Sequence, residues 1–221
     1  MTLIRILSII LPWNLKRLLL QNLLGYKLHP SARIGIAWIF PSHLEMEEGS
    51  RIDHFNVAIH LDRIKMGKHS TLGRQNWITG FPTRKGSRHF SHQPERVSEL
   101  ILGDHSAITK NHHLDCTSPI RIGTYTTIAG YHSQFLTHSI NLADCRQDSI
   151  PIEIGSHCFV GTNVVVLGGA SLPNRSVLGA KSLLRTGFTE ETRLYAGAPA
   201  VEVKTLSETL PYFTRTEGFI Y

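Results

Sequence analysis

Large apolar residues recur at every sixth position along most of this chain. From Leu28, six successive steps of six fall on apolar residues, and after a slip of two residues the pattern resumes at Met66. The most regular run comes last: Ile154, Val160, Val166, Leu172, Leu178 and Leu184. Helical faces repeat near 3.6 residues and the strands of a β-sandwich alternate every two, so a sustained period of six indicates a parallel β-helix of hexapeptide repeats.

The residues around each apolar position follow a second pattern. Glycine comes directly after it at Gly155, Gly161 and Gly179, and glycine suits corners that need an unusual φ or a close approach of the backbone. Smaller residues recur four places after it: Cys158, Val164, Ala170, Ser176 and Ser182. Three hexapeptides complete one turn, so residues eighteen apart, such as Ile154 and Leu172, are predicted to stack in the interior.

Breaks in the repeat predict the domain organisation. We expect an N-terminal amphipathic helical segment over 1–27 and a β-helix domain over 28–200, with an insertion at 84–99 and a polar loop at 139–152. A C-terminal tail, 201–221, is predicted to contain a short helix in the sequence SETLPYF and to pack on the coils or on a partner subunit. The fold class is therefore all-β with short helical extensions.

The N-terminal segment is rich in Leu and Ile but is interrupted by Arg5, Pro12, Lys16 and Arg17. It has no run of about twenty apolar residues that would span a bilayer, and no cleavable signal peptide is expected. Two interpretations of residues 1–26 remain open. We favour a helix whose apolar face packs on the main domain, and the alternative is a basic segment in peripheral contact with an anionic membrane.

The amino-acid composition limits the classes of partner that the chain is expected to bind but does not select one of them. The formal net charge of +6 at pH 7 favours anionic partners such as a phosphorylated cofactor or a lipid surface. Nucleic-acid binding is not expected, because the chain has no helix-turn-helix pattern and no aromatic-basic platform. The three cysteines are odd in number and widely spaced, so we expect no disulfide framework, no zinc ribbon and a cytoplasmic location, at most peripheral to the inner membrane face.

A family resemblance rests on the segment from Ile154 to Ala200, which contains IGSHCFVG near its start and AGAPA at its end. It resembles the terminal coils of hexapeptide-repeat acyltransferases, which include maltose, galactoside, serine and capsule-sugar acetyltransferases. The resemblance extends over roughly Leu28 to Lys204. It implies a left-handed β-helix, an exception to the usual right-handed crossover, and a homotrimer with active sites in clefts between neighbouring coils.

The resemblance also implies the reaction. An acetyl or other acyl group would pass from acetyl coenzyme A, or another acyl coenzyme A, to a hydroxyl in a ternary complex, without a metal. A saccharide or polysaccharide precursor is the expected acceptor, as in polysaccharide-modifying members of the family. Such a transfer needs a base for the hydroxyl proton, donors for the oxyanion and a channel for the pantetheine arm.

His138 is the predicted base. The repeat breaks after it, a polar loop follows, and the repeat restarts at Ile154. In the family, a histidine at the last regular corner, followed by a loop and then IG..CF.G, supplies the catalytic base, and His138 occupies the matching position. The alternative is a corner histidine that is hydrogen-bonded to the backbone.

Other residues are further candidates for the same site. His112 and His132 are predicted to stack one coil apart, where they line an acceptor pocket or are structural. Asp115, Asp144 and Asp148 are candidates to orient the base, and the alternative for each is a turn residue. The full set of possible orienting or acceptor-binding residues also contains His113, Arg146 and Gln147.

Coenzyme A contacts are predicted from the last coils. Gly168, Gly169, Ala180 and Lys181 occupy positions where family members offer backbone amides to the pantetheine arm and nucleotide. Arg185 and Lys204 match positions where a cation meets phosphate, and the alternative for both is an exposed charge on the flank of the β-helix.

Two other function classes remain open. A γ-type carbonic anhydrase shares the fold and holds zinc with three histidines, but its close pair is five residues apart, whereas His132 and His138 are six apart. A non-catalytic β-helix scaffold would bind no coenzyme A.

Overall fold

The computed structural model describes residues 2–83 and 88–221. The first four residues of the expected insertion, 84–87, lie outside the described residues. Within the described ranges, the strands form seven successive coils of three strands each. Successive coils pair in parallel, so three parallel sheets form the faces of a left-handed β-helix, as predicted.

The coils are built from short strands in chain order. The first three coils are β1 (Lys27–Leu28), β2 (Arg33–Ile34), β3 (Trp38–Ile39), β4 (His43–Met46), β5 (Arg51–Ile52), β6 (Val57–Ile59), β7 (Arg63–Met66), β8 (Thr71–Leu72) and β9 (Trp77–Thr79). The fourth and fifth coils are β10 (Glu99–Leu102), β11 (Ala107–Ile108), β12 (His113–Asp115), β13 (Ile120–Ile122), β14 (Thr127–Ile128) and β15 (Gln134–Leu136). An antiparallel hairpin follows, β16 (His138–Asn141) and β17 (Arg146–Ser149).

The last two coils are β18 (Ile152–Ile154), β19 (Phe159–Val160), β20 (Val165–Leu167), β21 (Ser171–Leu172), β22 (Val177–Leu178) and β23 (Leu183–Leu184). An antiparallel pair, β24 (Arg193–Gly197) and β25 (Ala200–Thr205), closes the second sheet. We call the turn that joins the third strand of one coil to the first strand of the next the return corner.

The six-residue period forms the core. The six apolar residues of the last regular run are each no more than 3% exposed. Ile154 pairs with Leu172 and Val166 pairs with Leu184 in adjacent coils, which confirms the predicted stacking at a spacing of eighteen. Full burial of each such side chain contributes about 1.5–3 kcal/mol, so the interior ladder holds the coils together.

Gly155, Gly161 and Gly179, which follow the apolar positions, meet the second of the two expected needs, a close approach of the backbone, and none of them has a left-handed φ. A Cβ on Gly161 would lie 2.7 Å from the backbone nitrogen of Ala180 in the next coil. The left-handed φ falls instead on non-glycine residues two places later, such as Asn163 (56°) and Lys181 (56°). This conformation lets the N–H of Lys181 donate to the carbonyl of Thr162 in the preceding coil at 3.0 Å.

Two helices, α1 (Thr2–Ile10) and α2 (Trp13–Leu24), precede the first coil. Leu20 of α2 is 2% exposed within the core, and Lys16 donates to the carbonyl of Gly35 at 2.6 Å. Burial lowers the pKa of Lys16 to about 8. The segment therefore packs on the first coils, although several apolar side chains remain exposed: Ile6, Leu7, Ile10, Leu15, Leu18 and Leu23. No helix in the described part of the chain is long and apolar enough to cross a membrane.

Both interruptions of the repeat leave the β-helix at a return corner. The insertion runs between β9 and β10, and the hairpin lies between β15 and β18. The region expected as a polar loop at 139–152 is thus mostly a β-hairpin, because β16 and β17 satisfy each other's backbone groups. The insertion and the hairpin contact each other: His92 Nε2 lies 2.6 Å from Asp148 Oδ1, and Gln93 donates to the carbonyl of Ser149 at 3.0 Å.

The C-terminal tail begins inside a strand. The expected domain boundary at 200/201 falls within β25, whose pairing with β24 continues the second sheet. The short helix is α3 (Pro211–Thr214), at the end of the predicted segment. The tail packs on its own coils, where Tyr212 Oη donates to the carbonyl of Cys158 at 2.9 Å.

Candidate active site

His138 and Asp115 meet at the return corner, one coil apart. His138 begins β16 directly after the fifth coil, and Asp115 ends β12 in the fourth. His138 Nδ1 is hydrogen-bonded to Asp115 Oδ2, and the backbone N–H of His138 donates to the same oxygen at 3.2 Å. The imidazole is 42% exposed, whereas the carboxylate is only 7% exposed. A buried carboxylate therefore fixes a half-exposed imidazole.

Asp115 is held as an ionised acceptor. Its Oδ1 accepts from the backbone N–H of Thr117 at 3.1 Å and from Thr117 Oγ1 at 2.7 Å. Burial raises the pKa of Asp115, but the hydrogen bonds from His138 and Thr117 outweigh it and leave the pKa below its ordinary value. An ionised carboxylate only accepts, so Nδ1 of His138 carries a proton and Nε2 of the neutral ring is a free lone pair.

The same carboxylate changes the basicity of His138. The hydrogen bond that His138 donates to Asp115 raises the pKa of His138 above its ordinary value, and this effect outweighs the opposing burial and the nearby charge of Arg96. A histidine whose pKa is raised is a stronger base, and imidazole is the side chain that most readily gains and loses a proton near neutral pH. The arrangement can accept a proton at Nε2 and release it again.

An aromatic and cationic wall from the insertion lies against His138. The ring of Phe90 packs edge-on to His138 at 6.3 Å between centroids, and it is buried. The guanidinium of Arg96 lies 4.5 Å from the centre of the Phe90 ring. Arg96 also donates to the carbonyl of Phe81 at 2.7 Å, which ties the two ends of the insertion together. The six-residue period gave no signal for Phe90, Arg96 or Thr117, since all three lie in irregular segments.

A cavity of about 840 Å³ opens between the insertion and the hairpin. Residues 88–92 line one side, and Ile140 with residues 145–147 lines the other. Phe90 belongs both to this cavity and to the wall against His138. His138 itself does not line the cavity, and Phe90 is the residue that contacts both.

Among the predicted carboxylates, only Asp115 reaches His138. Asp148 pairs with His92, and Asp144 lies exposed in the hairpin turn, where it accepts from Asn141 at 3.2 Å. Arg146 and Gln147 line the cavity. The hairpin thus contributes the cavity wall and not the partner of the base.

His112 and His132 do not stack on each other. His112 is 1% exposed: its Nδ1 accepts from the N–H of Ser133 at 3.1 Å, and its Nε2 lies 3.0 Å from Thr109 Oγ1. Burial lowers its pKa to about 4. His132 instead lies above Asn111, one residue out of the expected register. Both residues belong to the corner before the third strand, away from the return corner that holds His138.

His113 lies on the outer side of the third sheet, in register with Trp77 and Gln134. A cavity of about 390 Å³ at this corner is lined by His113 together with His112 and His132. In residues 2–83 and 88–221, no group of three or more His, Cys, Asp or Glu side chains is placed to hold a metal ion.

The six residues predicted to contact coenzyme A do not all lie in one part of the β-helix. Gly168 and Gly169 form the return corner one coil beyond His138, and Arg185 lies exposed at the next return corner. A Cβ on Gly168 would lie 2.6 Å from the carbonyl oxygen of Thr137, so this glycine is also required by packing. The N–H of Gly169 is already used by the carbonyl of Pro151 at 2.9 Å.

The other three residues predicted to contact coenzyme A lie away from these return corners. Ala180 and Lys181 form the corner before β23, and the N–H of Lys181 donates within the β-helix. Lys204 is exposed on β25, opposite Leu194. Adjacent strands are about 4.8 Å apart, so His138, Gly168 and Arg185 follow one edge of the β-helix over about 10 Å.

Comparisons with known proteins were made by sequence and by structure. No protein-family model and no curated protein matches the chain. The crystal structure of the hexapeptide-repeat containing acetyltransferase VCA0836 from Vibrio cholerae is 25% identical, and the match covers 64% of this chain and 73% of that chain with a TM-score of 0.52. The chain resembles hexapeptide-repeat acetyltransferases in sequence and fold.

Two further structures of this group contain ligands. VCA0836 complexed with acetyl coenzyme A is 24% identical, and the match covers 65% of this chain and 71% of that chain, with a TM-score of 0.52. A variant of AntD, an N-acyltransferase from Bacillus cereus in complex with dTDP-4-amino-4,6-dideoxyglucose and coenzyme A, is 13% identical. That match covers 82% of both chains with a TM-score of 0.55, which is a likeness of fold.

Proposed function

We propose that this protein transfers an acetyl or other acyl group from coenzyme A to a hydroxyl of a saccharide, with His138 as the general base. The observation that carries the proposal is the pairing of His138 with the buried carboxylate of Asp115 beside an 840 Å³ cavity. Acetyl coenzyme A bound to the acetyltransferase VCA0836 supports the choice of donor. The aminosugar nucleotide bound to AntD supports a saccharide acceptor.

The chemistry follows from the state of His138. Its neutral ring accepts the hydroxyl proton at Nε2 as the acceptor oxygen attacks the carbonyl carbon of the thioester. The carbon–sulfur bond breaks, and the proton held by His138 passes to the departing thiolate. Asp115 stabilises the transient imidazolium and keeps the ring oriented. His138 is regenerated, so no covalent enzyme intermediate is needed.

The return corners beyond His138 are the proposed site of the donor. Gly168 gives a surface without a side chain next to Thr137, and Arg185 offers a cation two coils from His138. Guanidinium groups bind phosphate oxygens through paired hydrogen bonds, which suits the phosphates of coenzyme A. Gly169 is dropped as an amide donor, because its N–H is already engaged by Pro151.

A homotrimer is the proposed assembly. The outer side of the third sheet bears apolar side chains that a single chain leaves partly exposed: Ile59, Trp77, Leu136, Val165, Leu167 and Leu183. Burial of this face between subunits would stabilise a cyclic assembly and enclose the half-exposed His138. Sedimentation of the purified chain tests this assembly, since a monomer at micromolar concentration would contradict it.

Acyl transfer is tested with the purified chain, acetyl coenzyme A and a set of sugars and oligosaccharides. We expect saturable binding of coenzyme A, release of free thiol that depends on a saccharide, and a product heavier by one acetyl group. A scaffold would bind no coenzyme A. Stoichiometric zinc together with hydration of carbon dioxide would instead favour the carbonic anhydrase alternative.

A further inference from the structure

The cavity beside His138 has a cationic lining. Arg88 enters it from the insertion, and Arg146 enters it from the hairpin. Within residues 2–83 and 88–221, neither arginine has a carboxylate within the 4.0 Å of an ion pair. An arginine in a cavity without a carboxylate partner is a ready site for an anionic group of a ligand.

The acids near this cavity are already engaged. Asp148 receives hydrogen bonds from Asn141 and His92, which lower its pKa, and the charge of Arg146 contributes from a longer distance. Asp144 accepts from Asn141 in the hairpin turn. Neither carboxylate forms an ion pair with Arg146 or Arg88 in the described residues, so the N–H donors of both guanidinium groups remain available to a ligand.

The cavity also has the apolar surface and position that a sugar ring needs. Ile140 is 63% exposed and pairs with Gln147 across the hairpin. Because side chains alternate along a strand, Ile140 and Gln147 lie on the same face of the hairpin as His138, about 7 Å along β16. Arg146 is opposite Asn141, about 10 Å along the hairpin from His138. By the same alternation its side chain starts from the other face of the hairpin, and it lines the cavity next to the hairpin turn.

From this arrangement we infer that the acceptor is an acidic saccharide, whose carboxylate or phosphate binds Arg146 and Arg88 while a nearby hydroxyl reaches His138. The inference rests on the proposed acyl transfer and names the acceptor class of that site. The spacing places the anionic group on the acetylated sugar itself or on its neighbour. Ile140 and Phe90 contact the apolar face of the ring, and Gln147 hydrogen-bonds its hydroxyls.

The test uses matched pairs of saccharides with the full-length protein. One series pairs uronic and sialic acid oligosaccharides with the same oligosaccharides whose carboxyl groups are converted to amides. A second series pairs sugar phosphates with the corresponding free sugars. Binding is measured without acetyl coenzyme A, and acetyl transfer is measured with it. The two series distinguish a carboxylate from a phosphate as the anionic group.

Substitutions test whether the preference for acidic saccharides arises in this cavity. We expect Arg146→Gln to weaken the binding of acidic members and raise their KM by at least about tenfold, with an unchanged KM for acetyl coenzyme A. Arg146→Lys restores part of the affinity, because it keeps the charge without the planar fork. Arg74→Gln removes an exposed arginine at another corner and should have no effect.

The outcomes separate this inference from the proposed function. Equal use of neutral and acidic members, failure of every acidic member to bind, or an Arg146→Gln protein that behaves as wild type would overturn the acidic acceptor. Specific binding of an acidic member that is never acetylated would leave the binding site standing and contradict the proposed acyl transfer.

Discussion

Oδ2 of Asp115 accepts two hydrogen bonds from His138, one from the ring and one from the backbone. The two residues are twenty-three apart in sequence yet neighbours at one corner, because consecutive coils stack. The backbone bond fixes the start of the hairpin, and the ring bond fixes the tautomer. The position and the protonation of His138 therefore depend on one buried carboxylate.

Replacement of that carboxylate should affect both rate and pH dependence. In Asp115→Asn the pKa of His138 falls, because the raising hydrogen bond to a charged acceptor is lost. We expect kcat to drop about 100-fold and the acid limb of the rate profile to move to lower pH. Asp144→Asn is the matched control, since Asp144 does not contact His138. An unshifted acid limb would show that Asp115 does not set this pKa.

The pair also predicts a pH window for stability. The pKa of His138 is raised in the folded protein. Its contribution to the free energy of unfolding is therefore fully present below the ordinary pKa of 6.5, and it is lost as the pH rises through the pKa of the folded state. The pKa of Asp115 is lowered, so its contribution is present above 3.8 and is lost as pH falls through the folded pKa.

A double-mutant cycle of Asp115→Asn and His138→Ala measures this window. The coupling in the free energy of unfolding should reach about 1 kcal/mol between pH 3.8 and 6.5, a value reduced by the partial exposure of the imidazole, and it should shrink at pH 9. Coupling that grows with pH would contradict the assigned charges.

Much of the fold could be predicted from the sequence, but the pairing at the site could not. The period of six fixes which residues are buried. It does not reveal that the third strands of the fourth and fifth coils are offset by twenty-one residues, with His113 opposite Gln134, whereas their first and second strands are offset by twenty, because extra residues occupy irregular corners. That offset selects Asp115 from three candidate carboxylates. The contact between His92 and Asp148 joins the insertion to the hairpin, and both lie outside the hexapeptide repeat, so the period gives no signal for it.

Corner backbones give a contrasting pair of substitutions. Gly161→Ala should destabilise the β-helix by about 1–3 kcal/mol, because its Cβ would lie 2.7 Å from the nitrogen of Ala180. Lys181→Gly, at a φ of 56°, should change the free energy of unfolding by less than about 1 kcal/mol, since relief of the left-handed strain offsets the greater freedom of the unfolded chain. Denaturant unfolding measures both, and a tolerated Gly161→Ala would contradict the close approach.

Lys16 predicts a stability change at alkaline pH. Its pKa is lowered by burial from 10.5 to about 8, so the folded state holds fewer protons than the unfolded state between these values, and stability rises with pH there. Relative to Lys16→Met, the wild type should gain about 2 kcal/mol from pH 7.5 to 9.5. Lys68→Met, at an exposed position, should show no such difference from the wild type. If the free energy of unfolding changed with pH in the same way for the wild type and for Lys16→Met, the pKa of Lys16 would not be lowered by burial.

The most direct measurement is the rate of saccharide-dependent acetyl transfer by His138→Ala, compared with His43→Ala at an exposed position on the second coil. Both proteins should keep the wild-type fold and bind coenzyme A with wild-type affinity. The account predicts a rate at least about 100-fold lower for His138→Ala and an unchanged rate for His43→Ala. A folded His138→Ala protein that transfers acetyl groups within a few-fold of the wild-type rate would contradict the role of His138 as the base.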